Sequence, residues 1–470
     1  MNQASSKTLL LFNHGWGAIG FARLEQSGHH IARRGFDLLS FPGNANLLTF
    51  DIDRFVSRLA SRAARAGWTG VFSHHEQFGA LAAALLAEKM NWPGTPSQAV
   101  AACQHKLYAR QVLDRVCPQA NIAYQRLPLV YGQSVPEGLS YPCFVKPIKA
   151  AFSVLAKSVH SREELEQLTR FGGFELWVIK RMVEPFERVV RRLLPQSGSA
   201  HSMMLETAVH AKQYCLDGIV FGGDVKPLGV VDAVMYPGTQ AFMRFDYPSL
   251  LSRSVQSRAL EVARKFLTAI GFSHGFFNME FFYDDVADQL TVIEFNPRMA
   301  SQFADLYQRV DGLDLYAMAL ALAGGADPWT APQLPQTAGC ATSSVYRMFN
   351  HTAAHLPQVM PVMPSRAQVS CLKSNFADSI LLQYPKAGYS LARDFKWLGS
   401  YRYGILHMGG RDAADLQQRC AAASEILKWQ LPYADAADLL MASGTVLQGT
   451  GQASFSSVSP TPHLPWNLNT

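Results

Sequence analysis

Short apolar runs and helical repeats alternate along the first hundred residues. The pattern predicts strands at 9–12, 36–41 and 70–72 and amphipathic helices at 51–65 and 78–90. This β-α-β-α order is typical of an open parallel sheet that is covered by helices. We therefore expect an α/β unit over residues 1–103.

The pattern becomes mixed from about Gln104 onward, with α+β character. Helices are predicted at 106–116, 161–170 and 254–270, and strands at 142–147, 176–182, 203–215, 219–222, 276–283 and 290–295. The last two strands are joined by a short polar loop, which indicates a hairpin. A Pro-rich stretch after Thr330 separates a further α+β unit, and the Ser-, Thr-, Pro- and Gly-rich residues 436–470 are expected to be disordered.

Length and composition exclude several classes of protein. The chain has 470 residues, 48% of them apolar and 17% charged, which favours roughly three packed units. The longest apolar runs are too short to span a bilayer, and the polar start does not resemble a signal peptide. Seven cysteines without a CxxC pair indicate reduced thiols and a cytoplasmic protein, and they disfavour a zinc site.

A net charge of +6 does not by itself indicate nucleic-acid binding. The densest basic patch, formed by Arg188, Arg191 and Arg192, is short and lacks interleaved aromatic residues. We interpret it as a solvated basic surface.

The strongest chemical motif is the run from Thr291 to Arg298 on the second hairpin strand. Side chains alternate faces along a strand, so Glu294, Asn296 and Arg298 share one side. Glu280 is expected opposite Glu294 on the partner strand. Two carboxylates and an amide oxygen suit Mg²⁺ next to substrate phosphates, and an arginine can bind a phosphate with two hydrogen bonds.

The same alternation places Val292 in the row of Glu294 and directs Ile293 and Phe295 to the core. The alternative interpretation is the polar face of a surface hairpin with an ordinary Glu–Arg pair. The apolar neighbours argue against full exposure.

Lys146 lies within the apolar strand 143–147. A buried ammonium is costly unless it has an anionic partner, and a nucleotide phosphate would serve. The alternative is a lysine at a strand end with its charge in solvent. Lys106, on a predicted helix, is a similar but weaker candidate.

The segment 177–187 is predicted to be a strand that ends in a polar bend. Such a strand can present backbone donors and acceptors to an adenine edge, with a carboxylate beyond it for ribose hydroxyls. An edge strand with solvated charges is the alternative interpretation.

The first strand is followed by a G-x-G-x-x-G pattern at Gly15, Gly17 and Gly20, with Asp37 about twenty residues on. In a dinucleotide-binding unit the acidic residue ends the second strand, whereas Asp37 begins the predicted one. A tight strand-to-helix turn is therefore preferred over NAD binding.

Three elements follow one another along the chain: a strand with Lys146, a predicted strand and bend followed by Glu187, and the motif that runs from Glu280 to Glu294-x-Asn-x-Arg298. This order resembles the ATP-grasp superfamily, in the branch that contains L-amino acid ligases and biotin carboxylases. The likeness covers about residues 7–330, and the stretches 72–76, 93–96 and 105–110 are similar to the region that precedes ATP-grasp modules. It implies a Rossmann-like pre-ATP-grasp domain at 1–103 and an ATP-grasp domain at 104–330, divided into a lid at 104–200 and a second part at 201–330. A C-terminal α+β domain at 331–435 would follow.

The resemblance also implies roles for individual residues, with ATP and Mg²⁺ as cofactors and Mn²⁺ as a substitute. Lys106, Lys146 and Ser153 would contact the nucleotide phosphates, and Lys180 and Val183 would present backbone groups to adenine. Glu187 would bind ribose, and Glu280, Glu294 and Asn296 would bind the metal. Arg298 would stabilise an acyl phosphate, with Glu76 and Asp217 as weaker candidates on the substrate side.

The implied activity is ATP-dependent joining of a carboxylate to an amine, with amino acids as the expected substrates and a homodimer as the expected assembly. One departure is that the segment 149–156, where the superfamily has a Gly/Ser-rich phosphate loop, contains no glycine. A biotin-carboxylase-like enzyme and a non-catalytic nucleotide-binding module remain as alternatives. Neither nucleic acid nor a membrane is expected as a partner.

Overall fold

The computed structural model describes residues 7–13, 15–36, 43–130, 133–149, 155–236, 241–337, 339–340, 342–351, 362–385 and 400–429. The predictions for Ser153, for Asp37 and for the tail at 436–470 lie outside these residues, as does most of the predicted strand at 36–41.

Fifteen strands lie in three sheets within the described residues. They are β1 Lys7–Leu11, β2 His30–Arg34, β3 Trp68–Phe72, β4 Tyr124–Val130, β5 Cys143–Pro147, β6 Lys157–Val159, β7 Ser202–Glu206, β8 Lys212–Phe221, β9 Asp224–Met235, β10 Phe242–Tyr247, β11 His274–Asp284, β12 Gln289–Asn296, β13 Thr342–His351, β14 Ile380–Gln383 and β15 Ser400–Gly410.

Twelve α-helices connect and cover these strands in the same part of the chain. They are α1 Gly15–Gln26, α2 Ile52–Ala66, α3 Gly79–Met90, α4 Ser97–Gln104, α5 Lys106–Val116, α6 Arg162–Thr169, α7 Gly173–Leu193, α8 Arg253–Ala269, α9 Ala304–Asp311, α10 Leu315–Ala323, α11 Arg366–Asn375 and α12 Ala413–Leu427.

The first sheet is parallel, with the order β2-β1-β3. Leu9 and Leu11 pack into one core, while Leu10 packs into another with Phe21 of α1, so both faces of β1 are buried. This matches the predicted α/β unit. The second strand, however, is the largely exposed β2, whose polar sequence carries little strand signal.

The glycines that follow β1 are explained by close packing. A Cβ on Gly17 would lie 2.5 Å from Asn13 Oδ1, and the ring of Tyr316 stacks against Gly20. Helix α1 begins directly at Gly15. The short strand-to-helix connection thus needs no dinucleotide to account for its small residues.

The second sheet is antiparallel, with the order β4-β7-β5-β6, and is called the lid sheet below. Its β7 pairs with β5 so that Lys146 lies opposite Met204. The predicted division between residues 200 and 201 therefore falls just before a strand that pairs within the lid sheet. The predicted single strand at 203–215 is wrong, because residues 207–211 separate β7 from β8. The predicted strand at 219–222 is the end of β8.

The third sheet has eight antiparallel strands in the order β12-β11-β8-β9-β10-β13-β15-β14. The predicted hairpin is confirmed as β11 and β12. Strands from the predicted C-terminal unit continue this sheet through the pairing of β10 with β13. One face of the hairpin packs on α8, where the rings of Phe266 and Phe295 stack 3.9 Å apart.

The predicted strand at 176–182 is wrong, because these residues lie inside the 21-residue helix α7. Its buried residues Ile179, Val183, Phe186 and Val190 recur at helical spacing. Local β-formers and the interior Pro185 concealed this pattern. The proline ring has no N–H, so one intrahelical hydrogen bond is missing, but the buried face keeps the helix continuous.

None of the helices in the described ranges combines the length and apolar character needed to cross a membrane. All seven cysteines are free thiols.

Candidate active site

Glu280 and Glu294 lie directly opposite each other on β11 and β12, as the hairpin predicted. The pairing then shifts by one residue, so that Phe281 is opposite Val292 and Ile293 forms a bulge. Because of this bulge, the predicted alternation of side chains is wrong at Val292 and Ile293. Val292 is buried in the core, whereas Ile293, expected in the core, is only half-buried.

The two carboxylates have opposite electrostatic surroundings. Burial raises the pKa of Glu280, and repulsion from Glu294 raises it further. Burial would also raise the pKa of Glu294, but the charge of Lys106 and its hydrogen bond outweigh burial and hold the pKa below the usual range. Among the described residues, Lys106 forms an ion pair with Glu294, whereas no lysine or arginine forms one with Glu280.

A row of polar side chains crosses three neighbouring strands beside this pair. Asp217 on β8 accepts a hydrogen bond from Asn278 Nδ2 at 3.0 Å, and Asn278 Oδ1 accepts one from Asn296 Nδ2 at 3.1 Å. Asn296 Nδ2 also approaches Glu280 Oε1 at 3.2 Å. With its amide nitrogen held by these acceptors, Asn296 has its carbonyl oxygen left for a cation.

This donor set fits Mg²⁺. The set consists of two facing carboxylates and an oriented amide oxygen, and Mg²⁺ binds through one or two carboxylates while phosphate oxygens and water complete an octahedron. Within the described residues, no three His, Cys, Asp or Glu side chains gather into a site made of protein ligands alone. Water or phosphate oxygens would supply the remaining ligands of an ion held by these side chains.

Lys146 is buried on β5 and pairs with Glu206 of β7 at 2.8 Å. Burial lowers the pKa of Lys146 to about 8, and the charge of Glu206 only partly offsets this effect. The sequence predicted that this lysine needs an anionic partner, and a protein carboxylate from another strand supplies one.

Arg110 on α5 connects the lid sheet to the hairpin, which the sequence analysis did not predict. Its guanidinium donates to Glu206 at 2.7 Å and to the carbonyls of Val292 and Ile293 at 2.7 and 2.9 Å. These carbonyls belong to the bulge. A single buried arginine thus fixes the bulge and the carboxylate that holds Lys146.

Arg298 follows β12, and its Nε lies 3.0 Å from Glu76 Oε2. Glu76 precedes α3, so this pair connects the hairpin to the first unit. Asp217, the other weaker candidate for the substrate side, is buried and accepts a hydrogen bond from Tyr307 at 2.7 Å. Burial raises the pKa of Asp217 to about 6, against the lowering effect of its two hydrogen bonds.

The three residues predicted for adenine and ribose lie on α7. Lys180 is exposed and Val183 is buried in the helix face. Glu187 accepts hydrogen bonds from Ala200 N at 2.7 Å and Ser199 Oγ at 3.0 Å, and it pairs with Arg191. Their backbone groups belong to a helix, so the predicted open strand edge is wrong, whereas the roles of the three residues at adenine and ribose stay predictions.

A small cavity of about 60 Å³ adjoins Arg298. Its other walls are mostly apolar and come from the end of β3, from α3 and from the start of β11. They include Ala80, Ala83, Ala84 and Ala87, which form one face of α3. The arginine thus lies between a charged site and a small apolar space.

Comparison with solved structures shows the same architecture over nearly the whole chain. The L-amino acid ligase from Bacillus licheniformis has a TM-score of 0.64, 15% sequence identity, and coverage of 91% of this chain and 100% of that one. The biotin carboxylase from Campylobacter jejuni has a TM-score of 0.55 and 16% sequence identity, and the match covers 90% of this chain and 91% of that one. The phosphoribosylglycinamide synthetase from Anaerococcus prevotii has a TM-score of 0.57 and 12% sequence identity, with coverage of 91% of this chain and 100% of that one. The chain has the ATP-grasp fold.

Sequence comparison gives partial matches. The chain is 23% identical over 258 residues to the uncharacterized protein y4rH of Sinorhizobium fredii (strain NBRC 101917 / NGR234), covering 54% of this chain and 48% of that protein. It is 30% identical over 162 residues to the D-alanine–D-alanine ligase of Synechococcus sp. (strain CC9605), and this match covers 34% of this chain and 40% of that ligase. The matches thus span less than half the length of either relative. No protein-family model matches.

Proposed function

We propose that this chain is an ATP-dependent carboxylate–amine ligase that works through an acyl phosphate and releases ADP and phosphate. The observation that carries the proposal is the facing pair Glu280 and Glu294. Asn296 contacts Glu280, and Lys106 forms an ion pair with Glu294. This arrangement can hold a divalent cation and a polyphosphate at one place.

Nucleotide binding is assigned to the lysines that surround the pair. Lys106 and Lys146 come from different elements, and each is already oriented by a carboxylate. The chain leaves the lid sheet at Glu206 and enters β8 at Lys212. The backbone groups of Lys180 and Val183 belong to helix α7. The backbone of residues 207–211, between β7 and β8, is therefore assigned to the base instead.

Metal binding is assigned to Glu280, Glu294 and Asn296, with Mg²⁺ as the ion and Mn²⁺ as its substitute. The ion would neutralise the charge of the transferring phosphoryl group. Glu280 supports this assignment because burial, followed by repulsion from Glu294, raises its pKa, and a bound cation would offset both effects.

The chemistry follows from the poor leaving group of a carboxylate. One carboxylate oxygen attacks the γ-phosphorus of ATP, and ADP leaves. The amine nitrogen then attacks the acyl carbon, phosphate leaves with the bridging oxygen, and the amine loses a proton. Arg298 stabilises the negative oxygens in both steps, since a guanidinium presents paired donors to phosphate.

The substrate class belongs to the same proposal. The D-alanine–D-alanine ligase and the L-amino acid ligase that resemble this chain support amino acids as acid and amine. The small apolar cavity beside Arg298 favours an acid with a short side chain. The predicted homodimer stays a prediction.

The test is ADP and phosphate release from mixtures of amino-acid pairs, with mass spectrometry of the products. Bicarbonate alone forms a separate arm, because bicarbonate-dependent ADP release would favour a carboxylase. Glu294→Ala is expected to abolish turnover and leave the fold intact, whereas Glu261→Ala, an exposed residue on α8, should behave as wild type. ADP release by Glu294→Ala at the wild-type rate would refute the metal assignment.

A further inference from the structure

Lys149 is a buried cation without a hydrogen-bonding partner among the residues that the structure describes. It lies two residues after β5, and 2% of its surface is exposed. Its ammonium lies 4.7 Å from the ring centre of Phe186, which is itself fully buried. A cation–π contact compensates only part of the cost of burying an ammonium.

The backbone beside Lys149 is held in place from two sides. Ile148 N donates to Ser202 O at 3.0 Å, and Ile148 O accepts from Lys106 N at 3.2 Å. The first bond continues the pairing of the lid sheet, and the second ties the segment to the start of α5. Lys149 is therefore presented next to Lys106 by ordered backbone.

The carboxylates around Lys149 are already paired with other cations. Glu294 pairs with Lys106, Glu76 lies against Arg298, and Glu206 pairs with both Lys146 and Arg110. Burial lowers the pKa of Lys149 to about 8, and attraction to Glu76 offsets only part of this change. Among the residues that the structure describes, no carboxylate forms an ion pair with the Lys149 ammonium, although Glu76 and Glu294 attract it from a distance.

We propose that Lys149 is a third phosphate-binding lysine, which binds the nucleotide polyphosphate together with Lys106 and Lys146. The inference rests on the proposed function, because it takes ATP as the anion. The segment 149–156 has no glycine, so its backbone has fewer ways to wrap a phosphate with amide groups. A side-chain ammonium at position 149 supplies the donor that such a loop would otherwise provide.

The test compares the affinities of the full chain for ATP, ADP and adenosine by isothermal titration calorimetry. Lys149→Met should weaken ATP and ADP binding about 10- to 100-fold, the effect of losing a hydrogen bond to a charged group, and leave adenosine binding unchanged. Lys149→Arg should restore most of the affinity. Lys157→Met, an exposed lysine on β6, is the matched control.

Thermal unfolding separates this function from a structural one. Without nucleotide, Lys149→Met should be at least as stable as wild type, because it removes a buried charge that is only partly compensated, and ATP should no longer raise its melting temperature to the wild-type extent. A Lys149→Met protein that loses stability without nucleotide but keeps wild-type ATP affinity would overturn the inference.

If wild-type protein binds no ATP, the proposed function fails. If wild type and Lys149→Met bind ATP equally, only the assignment of Lys149 fails.

Discussion

Lys106 at the start of α5 and Glu294 on β12 form an ion pair across the site. The same carboxylate is assigned to the divalent cation, and the same ammonium is assigned to a phosphate. Each ligand therefore gains from the arrival of the other, because a phosphate that engages Lys106 frees Glu294 for the cation. Such linkage is reciprocal.

The first prediction concerns this coupling. In the wild-type protein, ADP should raise the affinity for Mn²⁺ about 5- to 150-fold, the usual range for coupled sites. In Lys106→Met, Mn²⁺ should bind more tightly without nucleotide, and the gain from ADP should shrink. Electron paramagnetic resonance titration, corrected for Mn²⁺ bound by ADP in solution, measures both quantities.

Lys265→Met, at an exposed lysine on α8, serves as the control and should keep the wild-type coupling. Unchanged coupling in Lys106→Met would show that the ion pair does not link the two ligands.

The second prediction concerns the amide row. Asn278→Ala should weaken Mn²⁺ binding about fivefold, because Asn296 loses the acceptor that orients its amide, and a hydrogen bond of this kind is worth about 1 kcal/mol. It should also lower the free energy of unfolding, since the buried Asp217 loses a donor.

Tyr307→Phe is the matched control, because it removes the other donor to Asp217 without touching Asn296. It should lower stability and leave Mn²⁺ affinity unchanged. An equal loss of Mn²⁺ affinity in both variants would place the effect in general stability rather than in the orientation of Asn296.

The hairpin that carries these residues could be predicted from the sequence to within two residues at each end. Alternating apolar positions and a polar loop specify such a hairpin locally, and the opposition of Glu280 to Glu294 follows from the register. The bulge at Ile293 could not be predicted in this way. It is stabilised by Arg110, which lies 182 and 183 positions away from the residues whose carbonyls it binds.

Helix α7 shows the opposite case, in which a local signal misled the prediction. The β-formers at 177–179 and the Glu-Pro step at 184–185 suggest a strand and a break. The helical spacing of Ile179, Val183, Phe186 and Val190 becomes decisive only over about three turns. A longer window would have found the helix, but not the partners Ser199 and Ala200 of Glu187.

The third prediction concerns Arg110. Arg110→Met should lower the free energy of unfolding by about 3–5 kcal/mol, because it leaves a buried carboxylate with one partner fewer. The carbonyls of Val292 and Ile293 lose their donor as well. Urea denaturation measures the change.

Arg115→Met, on the exposed side of the same helix, should change stability by less than about 0.5 kcal/mol. If Arg110→Met were as stable as wild type, Arg110 would not be the residue that joins the hairpin to the lid sheet.

The fourth prediction concerns pH and a buried ionic cluster near the far end of the third sheet. Burial would raise the pKa of Asp305, but the hydrogen bond and charge of His407, followed by Arg309, lower it to about 2. A lowered carboxylate pKa stabilises the fold above the ordinary value near 4, and this stabilisation is lost as the pH falls through 2. The shift corresponds to about 2 kcal/mol.

Urea midpoints between pH 2 and 6 check the sign of this effect. Wild type should lose more stability on acidification than Asp305→Asn, which cannot titrate, while Asp285→Asn at an exposed position should follow wild type. Parallel curves for wild type and Asp305→Asn would contradict the assignment.

The pairing of Lys146 with Glu206 has a thermodynamic consequence for ligand recognition. Ordering a free lysine side chain costs about 1.5–2 kcal/mol in lost rotamer freedom. Here that entropy is already lost when the chain folds, because the carboxylate fixes the ammonium in advance. An arriving anion meets a rigid, correctly placed donor, so substitutions that loosen Glu206 would weaken recognition of the anion without removing any group that touches it.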